Sequence, residues 1–122
     1  MSGKFEPKTP VQLNPPKDDP ISLSELAKAN GEQADGKCYV AIKGLVYDVT
    51  GNKSYLPGGT YHVFAGKDAS KALGKTSKKV EDVDADWSGL TEKEKETLND
   101  WVTFFSKRYN VVGRVEGATN FE

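Results

Sequence analysis

Residues 39–50 read YVAIKGLVYDVT, two apolar, β-rich runs on either side of Lys43 and Gly44. A two-residue link containing glycine between such runs is the signature of a tight hairpin. Working backwards, SLSELAKANG (22–31) carries Ser22 as an N-cap, Glu25 three residues on, Leu23 and Leu26 as the apolar positions, and Gly31 as a stop. That pattern predicts a short helix opened by a capping box. Residues 1–20 hold all but one of the six prolines and show almost no apolar clustering. They predict an extended, largely disordered arm, a solvated tail in preference to one docked along an edge of the domain.

Forwards from the hairpin, GNKSYLPGG (51–59) is a loop punctuated by Gly51, Pro57, Gly58 and Gly59. TYHVFAG (60–66) predicts about one and a half helical turns ended by Gly66. Asp68 or Ser70 is placed to cap a second short helix running through Ala72 and Leu73, and residues 75–89 read as a polar surface loop pinned by Trp87 and Leu90. TEKEKETLNDWVTFFSKRY (91–109) is the clearest helix. Thr91 and Glu94 form a second capping box, and Leu98, Trp101, Val102, Phe105 and Tyr109 fall on one stripe, with Phe104 just off it. VVGRV (111–115) closes as a strand and 117–122 read as a tail. The order of elements predicts an α+β fold, a small antiparallel sheet with segregated helices around a pocket suited to a flat ligand. The expected division is an arm at 1–20, one domain at 21–116 and a tail at 117–122.

The chain has 122 residues, 17 basic against 18 acidic, for a formal net charge of −1. Such a balance supplies no field for nucleic acid or anionic lipid. The single cysteine, Cys38, sits in an apolar run and reads as a small buried hydrophobe, and one thiol without a disulfide fits a reducing compartment. No apolar run reaches the ~20 residues that cross a bilayer, so the chain is expected to be soluble.

Enzyme signatures are missing. There is no G-x-S-x-G, no second histidine beside His62 and no Cys–His pair, and two Cys or His residues in total cannot build a zinc site. The glycines of GGTYHVFAG follow a loop and match neither a dinucleotide nor a P-loop pattern. Two residues of this stretch invite chemistry, Tyr61 and His62. On a helix their side chains diverge by roughly 100°, so both cannot face one site. From the residues alone Tyr61 reads as a core tyrosine beneath the glycine turn in preference to a ligand, and His62 as a partly exposed surface histidine.

The hairpin YVAIKGLVYDVT followed by PGG resembles the cytochrome b5-like fold. In cytochrome b5 a histidine precedes PGG as an axial haem ligand; here that position is Leu56. Bis-histidine electron transfer is thereby excluded. The fuller pattern, YLPGGTYHVFAGKDASKALG with LTEKEKETLNDWVTFFSKRYNVVGRV, is similar to the membrane-associated progesterone receptor family, over about 22–115. The resemblance implies haem b held through the phenolate of Tyr61 as axial ligand of a five-coordinate ferric iron. It assigns Tyr55 as a hydrogen-bonding neighbour and places Arg108 and Tyr109 on the family's lysine–tyrosine pair. It implies support of cytochrome P-450 monooxygenases in sterol metabolism, action in the cytoplasm or at the endoplasmic reticulum, and homodimers through stacked haem faces. The alternatives are a sterol or steroid carrier using the same pocket without haem, or an adaptor. None of these is an enzyme.

Phenolate chemistry is consistent with that implication. An ordinary phenol titrates near pH 10, so a ligating tyrosine needs ferric iron and nearby donors or cations to stay ionised at neutral pH.

Overall fold

The structure, a computed structural model, describes residues 15–120. Within them four strands and three helices follow the order β1 (Pro20–Ile21), α1 (Leu23–Lys28), β2 (Tyr39–Ile42), β3 (Leu45–Asp48), α2 (Ser70–Lys75), α3 (Glu92–Arg108) and β4 (Asn110–Val115). Short 3₁₀ turns at His62–Phe64 and Val80–Asp82 complete the list. The sheet order is β1-β4-β3-β2.

The hairpin forms as the sequence predicts, with Ile42 paired to Leu45 across the two-residue turn. Lys43 and Gly44 both take positive φ, 51° and 80°. That is the primed geometry matching the twist of the flanking strands. Both turn N–H groups are claimed by the start of α2. Lys43 N–H donates to Ser70 Oγ at 2.7 Å and Gly44 N–H to Asp68 Oδ2 at 3.1 Å. Asp68 Oδ1 in turn accepts from the Ser70 amide and hydroxyl, at 3.1 and 2.6 Å. Ser70 is fully buried, yet its polar atoms are satisfied.

Alternation along β2 and β3 splits the core between two faces. Val40, Ile42, Tyr47 and Val49 join Phe64, Leu73, Leu98 and Phe105 on one side. Ala41 and Val46 meet Ile21, Leu26 and Val115 on the other. Cover on both faces explains why these strands read as unbroken apolar runs. The two predicted capping boxes are present at Ser22/Glu25 and Thr91/Glu94. Of the α3 stripe, Leu98 and Phe105 are fully buried, and Phe105 packs edge-on against Tyr47 with centroids 5.3 Å apart. Cys38 is buried and burial pushes its thiol up to about 11, as expected of a hydrophobe rather than a nucleophile.

Several expectations need correction. The sheet is mixed rather than antiparallel, because β1 runs parallel to β4. The end of the arm is therefore docked: Lys17 N–H donates to Val111 O, Arg114 N–H to Asp19 O, and Arg114 pairs with Asp18. Gly113 permits this, since a Cβ there would collide with Asp19 O and the Ile21 side chain. Residues 1–14 lie outside the described part. The tail is anchored as far as Asn120, whose side-chain amide donates to Asp68 Oδ2 and Ala85 O while its backbone carbonyl accepts the Trp87 indole N–H at 2.9 Å. In TYHVFAG only His62–Phe64 is helical, and as 3₁₀, with Tyr61 outside its first turn.

Ser70→Ala should strand the Lys43 N–H and cost about 2 kcal/mol, read as a fall in the urea midpoint without a change in slope. An unchanged midpoint would mean that the hairpin turn holds without α2.

Candidate functional site

The loop from Val49 to Tyr61 is a chain of consecutive turns. Tyr55 N–H donates to Asn52 O, Gly59 N–H to Leu56 O and Tyr61 N–H to Ser54 O, at 3.0, 2.8 and 2.7 Å. The last bond folds the glycine turn back on its own start. Gly59 lies where a Cβ would collide with the carbonyls of Lys53 and Ser54, so no other residue lets the loop close this tightly. This closure sets Tyr61 over Tyr55, ring centroids 5.7 Å apart.

The end of α3 supplies the rest. Tyr109 caps the helix and meets Tyr55 edge-on at 6.5 Å, and Trp101 meets Tyr61 edge-on at 6.3 Å. The Arg108 guanidinium lies 4.3 Å over the Phe104 ring. The structure thus brings Tyr55, Tyr61 and Tyr109 into one aromatic cluster, with Arg108 on the adjoining turn of α3. Tyr55 is buried; Tyr61, Arg108 and Tyr109 are half-buried. Burial drives the Tyr55 phenol well above its ordinary range, and the neighbouring Tyr109 and Tyr61 phenols raise it further. Tyr55 is therefore held in its neutral form.

His62 is drawn elsewhere. Its Nε2 lies 3.1 Å from Asn30 O and 3.3 Å from a Glu32 carboxylate oxygen. A carbonyl oxygen only accepts, so Nε2 carries the hydrogen and is not available as a lone-pair donor. Asp68, read from sequence as a helix cap, serves the start of α2 and not this cluster. Asn52 was not anticipated. Its Nδ2 donates to Tyr109 Oη at 2.6 Å, and its place two residues before Ser54 in a turn-rich segment was the only signal. A cleft of about 770 Å³ lies apart from the tyrosines, bordered by Leu23, Trp87, Lys95, Val115 and Asn120. Among the described residues no group of three or more His, Cys, Asp or Glu is arranged to hold a metal ion.

Residues 22–103 match the Cytochrome b5-like Heme/Steroid binding domain. The chain belongs to this family. "Probable steroid-binding protein 3" of Arabidopsis thaliana is 59% identical over 96 residues, covering 78% of this chain and 96% of that protein. "Cytochrome P450 regulator dap1" of Schizosaccharomyces pombe is 44% identical over 100 residues, 75% of this chain and 60% of that one. "Membrane steroid-binding protein 1" of rice, Oryza sativa subsp. japonica, is 43% identical, with 88% of this chain matching 44% of its length. Among solved structures, an Arabidopsis thaliana protein with a cytochrome b5 like fold superposes with a TM-score of 0.73 at 53% identity, over 81% of this chain and 92% of that one. These relatives are named for binding or regulation, not for catalysis. No helix among the described residues is long and apolar enough to cross a membrane.

The raised Tyr55 pKa predicts a domain stability that falls with alkaline pH. Its folded pKa is raised, so the unfolded chain loses this proton first, and unfolding is favoured progressively above about pH 10. Tyr39 and Tyr47, also raised by burial, add to the same trend. Urea midpoints between pH 8 and 11 should fall less steeply for Tyr55→Phe than for the wild type. Equal slopes would show that Tyr55 ionises as freely folded as unfolded.

Proposed function

We propose that this domain is a haem-binding regulatory module that docks on cytochrome P-450 monooxygenases of sterol metabolism and supports their activity. The supporting observation is the cluster of three phenols, with Arg108 next to Tyr109 in the chain and its guanidinium over Phe104, while the sole histidine is tied to the loop after α1. A hard anionic oxygen donor with neighbouring hydroxyls and a guanidinium suits ferric haem. In this reading Tyr61 would be the residue that holds the iron, since it is more exposed than Tyr55. Tyr55 and Tyr109 provide hydroxyls beside it, and Arg108 offsets negative charge at the end of α3. Haem b held there would contribute a ferric centre with one open face, suited to a small ligand or a partner surface rather than to rapid electron transfer. Trp101 and Phe104 of α3 form the apolar wall, and rings now in contact with Tyr61 would separate to admit a flat ligand. The P-450 partner is inferred from the name of the fission-yeast relative, and the working place is the cytoplasm or the surface of the endoplasmic reticulum.

A second reading, steroid binding without haem, is favoured by the names of the plant relatives and by the half-buried wall of Val63, Trp101 and Phe104. Hemin titration of the purified chain separates the two. The wild type should give a high-spin ferric tyrosinate spectrum that His62→Ala keeps and Tyr61→Phe loses. Absence of saturable hemin binding would leave the steroid reading standing. A spectrum retained in Tyr61→Phe would move the ligand to another residue.

A further inference from the structure

Asn52 has no role in the haem reading above, yet it donates a hydrogen bond to a hydroxyl of the phenol cluster. Its side-chain oxygen accepts the Ser54 N–H at 3.0 Å, an Asx turn at the root of the YLPGG loop. Its Nδ2 donates to Tyr109 Oη at 2.6 Å. The Ser54 bond fixes the amide orientation. Flipping the side chain would set an NH₂ group against the Ser54 N–H, donor against donor, and lose that bond, while the amide oxygen would merely accept from the Tyr109 hydroxyl instead. The direction of the second bond follows: Tyr109 accepts from Asn52, so its own hydrogen must point elsewhere. The neighbouring phenol rings are Tyr55, 6.5 Å away by centroid, and Tyr61 beyond it. An accepted hydrogen bond also polarises a hydroxyl and makes it a stronger donor.

We propose that Asn52 is a positioning residue of this site, its side-chain amide locked by Ser54 so that Tyr109 is held as a hydrogen-bond donor toward the phenol cluster. The inference rests on the haem reading, because a donor aimed into the cluster matters most when one of the phenols is ionised. It also joins the two segments that build the site. Asn52 belongs to the loop after β3 and Tyr109 to the end of α3, 57 residues apart in sequence. The same bond therefore holds the loop carrying Tyr55 and Tyr61 against the helix carrying Arg108.

Asn52→Asp isolates the direction of this bond from its shape. The new carboxylate still accepts the Ser54 N–H and keeps the turn, but it can only accept from Tyr109, so the phenol hydrogen turns away from the cluster. Hemin affinity and the phenolate-to-iron charge-transfer band would be measured for the wild type, Asn52→Asp, Tyr109→Phe and the double variant, with urea midpoints confirming folding. Affinity should weaken about 10- to 100-fold in Asn52→Asp, as for loss of a partner that orients a ligand, with a shifted band. Tyr109→Phe should do the same, and the double variant should lose no more than Tyr109→Phe alone. If Asn52→Asp weakens binding equally on the Tyr109→Phe background, the effect is the added charge and the inference fails. Wild-type affinity and spectrum in Asn52→Asp would overturn it too. Should the wild type itself bind no hemin, the haem reading falls and takes this inference with it, an outcome separable from the other two by the wild-type titration alone.

Discussion

The carboxylate of Asp68 connects three parts of the chain that would otherwise meet only through apolar packing. One oxygen takes the amide and hydroxyl of Ser70 at the start of α2; the other takes the Gly44 amide of the hairpin turn and the Asn120 side chain near the C-terminus. Hydrogen bonds to a charged acceptor are each worth about 1.5–3 kcal/mol, and here they fix directions as well as energy. Ala41 also exchanges backbone bonds with Lys67 and Ala69 on either side of Asp68, so the outer edge of β2 is covered rather than open. The segment from Gly66 to Ser70 is thereby tied to the sheet. Tyr61 lies only a few residues upstream, and its position over Tyr55 depends on that anchorage as much as on the glycine turn.

Electrostatics gives the phenol cluster its character. Burial disfavours charge on the Tyr55 phenol, and the neighbouring Tyr109 and Tyr61 phenols disfavour it further. The two proposed ligands are one that supplies its own positive centre and a neutral apolar one. They differ in whether the phenol oxygen or the aromatic wall carries the affinity. The replacement of the b5 histidine by Leu56 and the engagement of His62 with Asn30 both remove nitrogen from the site.

Local signals were legible where short-range chemistry decides the outcome. Two capping boxes, a primed hairpin turn and the apolar stripe of α3 depend on residues within about four positions of one another, and all appear as read. The misread elements depend on distant partners. The end of the arm carries no strand pattern of its own, and it pairs because Gly113 leaves room on β4. The tail is held because Asn120 finds Trp87 and Asp68, 33 and 52 residues away. TYHVFAG has helical spacing, but the bond from Tyr61 N–H to Ser54 O commits its first residues to closing the loop.

By itself the sequence determined the kinds of element, the family resemblance and the donor chemistry available: five tyrosines, one histidine and one thiol. These follow from composition and from interactions along a few residues of chain. Only the tertiary structure decided that Tyr55, Tyr61 and Tyr109 converge, that His62 points to the loop after α1, and that Asn52 meets the Tyr109 hydroxyl. The physical reason is that a hydrogen bond or a ring contact between segments 57 residues apart leaves no periodic trace in either of them. It exists only once the sheet has set the loop after β3 and the end of α3 side by side.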